Sequence, residues 1–367
     1  MDLMTDSASF SGLKDKYDYF AAPQLRVIVE DVDLIKKLEA DMSGITVELT
    51  AGSPASGCSF DVVGLYQPKN TGFDENGPAK YLQIGAKVEV ELGYIVTEKV
   101  FVGLIVEVEY VFENESSAPY VHVECMDAKC LLMKQRRLEL FTEKSITDAV
   151  TEILDAQPFS DYISGKTVDA LTPKINMIPA AGEDDFQFIT RFAAYIGYEF
   201  FIIAGKAYFR KIPASASSIM TLKPEFGLVS LKLSLRGSGI HKKTKVVGIG
   251  AENDKAVSAE EATDAKLSKG NTASRMLGET VQTLFDHQVK SADDASARAK
   301  TIMQDAVASF AKLEFTTIGI PELVPGRCVK IEGIAPEVNG DYYLLSVRHS
   351  LDEKGFVTTA EARMNKV

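Results

Sequence analysis

Two distant stretches of this 367-residue chain follow one template, and this duplication limits the fold more than any other feature. In each stretch a glycine, Gly85 or Gly326, precedes three runs in which apolar and polar residues alternate. Such alternation is typical of strands that bury one face. Superposing the two glycines aligns four apolar positions, which we predict to face the cores: Val88, Val90, Val329 and Ile331. The sequence therefore predicts a duplicated β-domain.

The polar face of the repeated strands carries glutamates. Acid-base catalysis requires two carboxylates in a cleft with pKa values pushed apart. Alternating glutamates on a half-buried strand are instead an ordinary solvated face. If the sheet closes into a ring, this face would line its lumen. The candidate lumen-facing acids are Glu89, Glu91 and Glu107.

The charge balance disfavours a nucleic-acid-binding surface. The formal net charge is −12, whereas a surface that holds phosphates needs clustered Lys and Arg. We expect no sequence-specific nucleic-acid partner, although an acidic channel wall would let DNA pass without sticking. No run approaches the roughly 20 apolar residues of a membrane helix, and the N-terminus lacks a basic segment followed by an apolar one. We therefore expect synthesis in a cytoplasm, without membrane insertion.

Residues that usually carry enzyme chemistry form no known motif in this chain. There is no Gly-rich phosphate loop, no His-Glu-x-x-His and no Gly-x-Ser-x-Gly. The four cysteines are scattered in apolar runs, which favours core positions in a reducing compartment. The spacing of Cys125 and Cys130, with His122 nearby, matches no zinc site. The sequence predicts no enzyme, no cofactor and no metal, but it leaves open a pair of acids such as cell-wall hydrolases use.

The elements predicted along the chain divide it into four parts. A capping box at residues 145–148 begins one helix, and a second helix over residues 183–196 ends at Gly197. The first residues, rich in Ser, Asp and Lys, predict an arm that orders only against a partner. The predicted parts are an N-terminal arm (1–20), a first β-domain (21–135), an α/β connecting domain (136–222) and a second β-domain (223–367) with a mobile excursion (251–280) and a helix (292–313).

Two groups of motifs resemble the late control protein D family, which comprises phage tail baseplate hub proteins and is similar to the hub half of type VI secretion spike proteins. The first group covers the predicted second helix and an aromatic-rich hairpin. The second covers a strand, a turn and the strand after it. The motifs are residues 183–189, 191–193, 197–201 and 205–211 in the first group, and residues 319–326, 338–343 and 346–351 in the second. Together they cover much of the chain from about Ile175 to the end.

This resemblance implies a mixed β fold with an α/β insertion: two tail-tube-like antiparallel β-barrel domains joined by an α/β domain. It also implies a homotrimer that forms a pseudo-sixfold ring, since two similar domains in each of three copies imitate six units. The implied neighbours are a hexameric tail tube protein above and a trimeric spike protein below, with baseplate wedge and tape-measure proteins as further partners. The chain stops at Val367, soon after the second barrel, so we expect a separate spike protein to form the tip.

The implied function is therefore structural: a baseplate hub made in the bacterial cytoplasm and built into a virion or phage-like particle. A phage, a bacteriocin and an effector-injecting particle all fit this description. Two other functions stay open on the residues alone. One is a stand-alone β-rich protein that binds a ligand or a cell-surface polymer, and the other is a cell-wall hydrolase.

Overall fold

The computed structural model shows a fold made mostly of antiparallel strands. It describes residues 3–52, 54–67, 72–73, 76–113, 118–137, 140–171, 174–177, 182–213, 217–250, 255–263, 276–336 and 338–364. The α-helices in this part of the chain are α1 (Phe10–Lys16), α2 (Leu34–Leu38), α3 (Lys129–Leu132), α4 (Ile146–Asp155), α5 (Asp185–Ile196) and α6 (Ala292–Ala308).

The first β-rich half precedes α3. Its strands are β1 (Gln24–Val29), β2 (Val32–Asp33), β3 (Asp41–Thr50), β4 (Gly57–Val63), β5 (Tyr66–Gln67), β6 (Gly72–Phe73), β7 (Lys87–Gly93), β8 (Thr97–Val111) and β9 (Tyr120–Met126). Strands β5 and β6 form a separate hairpin. The others pair in the order β3-β4-β9-β8-β7-β1-β2.

The second β-rich half follows residue 217. Its strands are β15 (Ser218–Leu222), β16 (Leu228–Leu235), β17 (Lys243–Ile249), β18 (Ala256–Ala262), β19 (Val281–Phe285), β20 (Ala311–Ile318), β21 (Cys328–Ile331), β22 (Gly340–Asp352) and β23 (Gly355–Met364). Here the main order is β16-β20-β23-β22, with β21 on β22 and β15 parallel to β21.

The two halves share hydrogen bonds and irregularities as well as strand order. The Gly85 N–H donates to the Ile105 carbonyl at 2.8 Å, and the Gly326 N–H donates to the Leu344 carbonyl at 2.9 Å. Both glycines have positive φ, +89° and +82°, a region that residues with a Cβ rarely adopt. A bulge follows at the same place in each copy, between Ile105 and Glu107 and between Leu344 and Ser346. The duplication therefore extends to the backbone register.

The equivalence reaches strands that the sequence pattern did not align. Phe60 on β4 pairs with Val123, and Phe315 on β20 pairs with the equivalent Ala360. The next strands are β3, where Ile45 pairs with Phe60, and β16, where Leu231 pairs with Phe315. Each strand has a bulge two residues before Ile45 or Leu231. In the first half a short turn joins β3 to β4. In the second half residues 236–310 separate β16 from β20.

The insertion in the second half is a folded module. Strand β17 pairs with β18 on one side and with β19 on the other, and α6 packs on this sheet through Ala295 and Ala299. The stretch 251–280, for which the sequence predicts a mobile excursion, thus contains strand β18, and residues 251–254 and 264–275 lie outside the described part. The helix predicted over residues 292–313 ends at Ala308, because β20 begins at Ala311.

A connecting module with its own core lies between the halves. Its strands are β10 (Phe141–Ser145), β11 (Gly165–Val168), β12 (Lys174–Met177), β13 (Tyr198–Ile203) and β14 (Lys206–Lys211). The α5 helix has the predicted Gly197 stop and a capping box formed by Asp184 and Gln187. The module contacts both repeat glycines: Tyr162 Oη donates to the Gly85 carbonyl at 3.3 Å, and Arg210 donates to the Gly326 carbonyl.

The N-terminal residues pack against their own chain, which corrects the prediction of an arm that orders only against a partner. Tyr17 is fully buried and its hydroxyl donates to Glu322 Oε1 at 2.6 Å. Lys16 forms ion pairs with Glu98 of the first half at 2.6 Å and with Glu322 of the second at 2.8 Å. The sequence signal was misleading because the apolar residues that anchor this segment are few and widely spaced.

The predicted β-rich fold is confirmed, but two separate barrels are not. Strand β22 of the second half pairs with β3 of the first, so both halves belong to one 13-stranded sheet. Within the described residues, strand pairing closes neither half into a barrel. The four predicted core positions are fully buried and belong to one hydrophobic cluster shared by both halves.

Candidate functional site

The join between the halves is a strand pair whose register is fully defined. Strands β22 and β3 run antiparallel, with Val347 opposite Leu49 and His349 opposite Val47. On the other face, Arg348 lies opposite Glu48 and forms an ion pair with it. The Ala51 N–H adds a hydrogen bond to the Leu345 carbonyl at 2.9 Å. The edges of two equivalent sheets thus pair side by side.

Each half also has one uncovered strand edge. The equivalent edge in the other half is covered, because it forms the join. By the duplicated register, β8 is the equivalent of β22, and β16 is the equivalent of β3. Past Ile105, β8 pairs only with β9, and β16 pairs only with β20, as far as the described residues show. The edge of β8 over residues 107–111 and the outer edge of β16 are called the donor edge and the acceptor edge below.

Side-chain burial differs sharply between the covered strands and the uncovered ones. Leu49 on β3 is 1% exposed, whereas its equivalent on β16, Leu235, is 50% exposed. His349 on β22 is completely buried, whereas its equivalent on β8, Tyr110, is 55% exposed. Exposed strand edges with large apolar residues are sites of association or aggregation. The two edges are therefore candidate contact surfaces.

The donor edge ends in an aromatic cluster. Tyr110 lies 5.2 Å from Phe73 and Phe112 lies 5.1 Å from Tyr66, measured between ring centroids. The hairpin β5–β6 that supplies Tyr66 and Phe73 leaves Tyr110 and Phe112 more than half exposed. Because aromatic rings contribute strongly to interface energetics, this cluster strengthens the case that the edge is a contact surface.

The sheet has a polar face around the join. A shallow depression in this face is lined by residues from both sides of the join, including Glu48, Thr50, Ser346 and Arg348. Farther along, His122 Nδ1 lies 2.6 Å from Asp61 Oδ1. Partial burial opposes the effect, but the Asp61 carboxylate raises the pKa of His122 above its ordinary value. The face therefore mixes acids with compensating cations.

The three candidate lumen-facing acids do not share one environment. Glu107 is exposed on the donor edge, opposite Glu124. Glu89 and Glu91 lie on β7, where Glu89 pairs with Lys99 at 2.5 Å and Glu91 pairs with Arg26 at 2.7 Å. Although burial works the other way, the hydrogen bond from Lys99 lowers the pKa of Glu89.

Of the β7 acids, Glu89 also lies beside the connecting module. Val102, which pairs with Glu89 and so lies on the same side of the sheet, packs against the turn at Gly205, where an added Cβ would be 3.2 Å from Val102. The sequence analysis grouped the three acids because alternation indicates on which face of a strand a residue lies. Alternation does not indicate which neighbouring element covers that face.

Sequence reasoning also missed the residues of the join. Thr50, Glu48 and Arg348 carry no motif, and the pairing of β3 with β22 joins residues about 300 positions apart. The four cysteines are buried. In the described part of the chain, no group of three or more His, Cys, Asp or Glu side chains is arranged to hold a metal ion. None of the helices described is both long and apolar enough to cross a bilayer.

Comparisons with known proteins place this geometry among tail proteins. The 43 kDa tail protein of prophage MuSo2 from Shewanella oneidensis has a TM-score of 0.73 and 13% identity, over 94% of this chain and 99% of that chain. The tail protein from Neisseria meningitidis MC58 has a TM-score of 0.69 and 13% identity, over 93% and 96%. The predicted resemblance to phage tail hub proteins is thus confirmed at the level of the fold.

A further match reaches a secretion system. The E. coli c3393 protein, described as a type VI secretion component similar to the bacteriophage T4 tail proteins gp27 and gp5, has a TM-score of 0.56 and 11% identity. That match covers 92% of this chain and 76% of the other. No curated protein matches the sequence. A family model described as the Alg8 N-terminal domain matches residues 75–353.

Proposed function

The chain belongs to the Alg8 N-terminal domain family, and we propose that it is the structural baseplate hub of a contractile phage tail or a related injection particle. The description of the family names a domain and no activity, so the proposal rests on the fold. That fold is shared with tail proteins over nearly the whole chain. A structural role also fits a surface whose most distinctive feature is a pair of strand edges.

The observation that carries the proposal is the side-by-side pairing of two equivalent sheets within one chain. A homotrimer of such chains would present six similar sheets, and it would retain threefold symmetry because the two halves differ. Closed rings form when a head-to-tail contact repeats around an axis. The hub would then match a sixfold tail tube on one side and a threefold spike on the other.

Matched exposed side chains suggest where the tube protein contacts the ring. Ile95 is exposed in the turn between β7 and β8, and Ile334 is exposed in the equivalent turn between β21 and β22. In a trimer these turns would supply six similar apolar contacts to a hexameric neighbour. The spike protein, the baseplate wedge and the tape-measure protein remain proposed partners without an assigned surface.

The polar face of the paired sheets is the proposed lumen wall. It carries Glu48, Asp61, Glu107 and Glu124, together with cations such as Arg348. Among the acids proposed from sequence, Glu107 fits this wall best, because Glu89 and Glu91 are ion-paired with Lys99 and Arg26. A wall of mixed charge with net acidity would bind passing DNA weakly.

The test is the mass and the projected shape of the purified protein. A trimer would have roughly 120 kDa, three times the 40.0 kDa of one chain, by light scattering after size exclusion. Negative-stain images should show a ring with a central hole and six similar densities. A monomer at micromolar concentration, with no ring in the images, would contradict the proposal and favour a stand-alone binding protein.

A further inference from the structure

We propose that the donor edge of one copy pairs with the acceptor edge of the next copy in a register that the join within the chain already defines. This inference rests on the proposed hub function and specifies its contact. The template is the antiparallel pair β22–β3, in which Ser346 lies opposite Thr50 and Leu351 lies opposite Ile45. The duplicated register converts each of these residues into its equivalent on β8 and β16.

The conversion is fixed by hydrogen bonds and bulges in both halves. Ile105 and Leu344 occupy the same position before their bulges, so Glu107 corresponds to Ser346. The bulges in β3 and β16 likewise make Leu231 correspond to Ile45. The resulting pairs between copies are Glu107 with Arg236, Val108 with Leu235, Glu109 with Ser234, Tyr110 with Leu233, Val111 with Lys232 and Phe112 with Leu231.

Apolar complementarity supports this register. On the core side it places Val108, Tyr110 and Phe112 against the leucines of β16. These are the positions whose equivalents in the covered join, such as Val47 and His349, are completely buried. Because β20 fixes the face of the β16 leucines, a slip of one residue would place them opposite residues of β8 that lie on the polar face. The pattern of burial at the join therefore excludes odd-numbered slips.

Charge complementarity supports the register from the opposite face. Acidic Glu107 and Glu109 are on the donor edge, and basic Lys232 and Arg236 are on or next to the acceptor edge. In the proposed register Glu107 lies directly opposite Arg236, and Glu109 lies diagonally between Lys232 and Arg236. Opposite charges on facing strands stabilise the pair, whereas like charges destabilise it. The join inside the chain uses a different pair, Arg348 with Glu48.

The assembled ring would form a continuous sheet. Each copy contributes eight strands in the order β16-β20-β23-β22-β3-β4-β9-β8. The two ends of this order are the acceptor edge and the donor edge, so each new copy adds the same contact. Closure leaves neither the donor edge nor the acceptor edge exposed, and covering such edges is how sheet proteins avoid open-ended association.

Site-directed cross-linking tests the register directly. The chain with Glu109→Cys and Ser234→Cys should form covalent dimers and trimers on mild oxidation, because directly opposite residues have Cβ atoms about 4.5–5.5 Å apart. The native cysteines are buried, so background cross-linking should be low. The matched controls pair Glu109→Cys with Lys232→Cys or with Arg236→Cys. We expect the first pair to cross-link at least about tenfold faster than either control.

The outcomes separate this inference from the hub proposal. A trimeric ring in which neither the proposed pair nor the controls cross-link would overturn the strand pairing and leave the hub standing. Faster cross-linking of a control pair would overturn the register. A protein that stays monomeric at every concentration would overturn both proposals.

A charge swap gives a second, independent measurement. Glu107→Arg alone and Arg236→Glu alone should each weaken trimer formation about three- to tenfold, and the double variant should recover to within about twofold of the original. Glu361→Lys changes the charge of the same face on β23, two strands from the acceptor edge, and serves as the control. An unchanged association constant in both single variants, or no recovery in the double variant, would contradict the proposed pair.

Discussion

The two halves have one strand framework but close the same hairpin in different ways. Between β3 and β4 the first half has a short turn, which a buried lysine holds. Lys129 Nζ donates to the Gly52 carbonyl at 3.0 Å and to the Pro54 carbonyl at 3.1 Å, and it lies 3.5 Å from Asp127 Oδ2. The second half has the β17–β19 module with α6 at the equivalent position. The framework therefore tolerates a large insertion at this hairpin without loss of register.

The largest effect that tests this comparison is a charge in the shared core. Val88→Asp and Val329→Asp should each cost on the order of 5 kcal/mol, because an unpaired carboxylate would enter a fully buried site. Natural domains have about 5–15 kcal/mol of stability in total. We expect loss of the cooperative thermal transition and no ring formation for both variants.

Exposed Ile95 provides the control, because Ile95→Asp should leave the transition nearly unchanged. If Val88→Asp unfolds the protein while Val329→Asp assembles normally, then the halves do not share one cooperative core. That result would break the equivalence at its most basic level.

The second prediction concerns the buried lysine that only the first half uses. Lys129→Met should destabilise the protein by about 3–5 kcal/mol, because Asp127 would be left buried without its cation. Burial raises the pKa of Asp127 and lowers the pKa of Lys129, even though each partly compensates the other. Denaturant unfolding measures the change, and exposed Lys134→Met is the control. The Lys129→Met/Asp127→Asn double variant should recover part of the loss, and no recovery would show that the hydrogen bonds from Lys129 to the turn carbonyls dominate.

The third prediction uses the pair of equivalent residues His349 and Tyr110. Burial lowers the pKa of His349 from 6.5 to about 4. Between pH 6.5 and about 4, His349 therefore binds a proton in the unfolded chain but not in the folded chain. This term stabilises the fold fully above pH 6.5, and the stability falls as the pH drops toward 4, by roughly 3 kcal/mol. The equivalent position of the first half, Tyr110, carries no base.

Unfolding measured from pH 8 to pH 4 checks the histidine term. His349→Asn keeps an atom that can bond with Thr358, which lies 2.9 Å from His349 Nδ1, and it should flatten the pH dependence over this interval. His287→Asn removes an exposed histidine and is the control for the substitution itself. Equal slopes for the His349→Asn variant and the original protein would refute the assignment.

The sequence predicted the part of the fold that local pattern determines. The alternation after Gly85 and Gly326 predicted the two equivalent sets of antiparallel strands. The capping residues predicted α4, α5 and the start of α6. The repeat of β3–β4 in β16–β20 was missed, because 75 residues of insertion separate the second pair. The domain boundaries stay predictions, although β15, placed in the α/β domain from sequence, pairs with β21 of the second half.

The site was less accessible to sequence reasoning for a physical reason. A free edge is the side of a strand that has no hydrogen-bonded neighbour. No residue type indicates that the neighbouring strand is missing. The pattern of β16, with leucines at alternate positions, predicts a buried face equally well whether the neighbour comes from the same chain or from another. Only the covered join of β3 with β22 reveals what an edge of this type accepts.

The smallest predicted effect concerns the ion pair at that join. Arg348 and Glu48 are more than half exposed, and exposed pairs contribute about 0.2–1 kcal/mol. A double-mutant cycle of Arg348→Ala and Glu48→Ala should therefore give a coupling energy below about 1 kcal/mol that decreases with salt. The equivalent positions on the free edges, Glu109 and Ser234, have no such pair, so the backbone and the core-side residues must supply most of the stability at both kinds of contact. A coupling above about 2 kcal/mol would mean that the internal join depends on a charge pair that the proposed contact between copies lacks, and would weaken its use as a template.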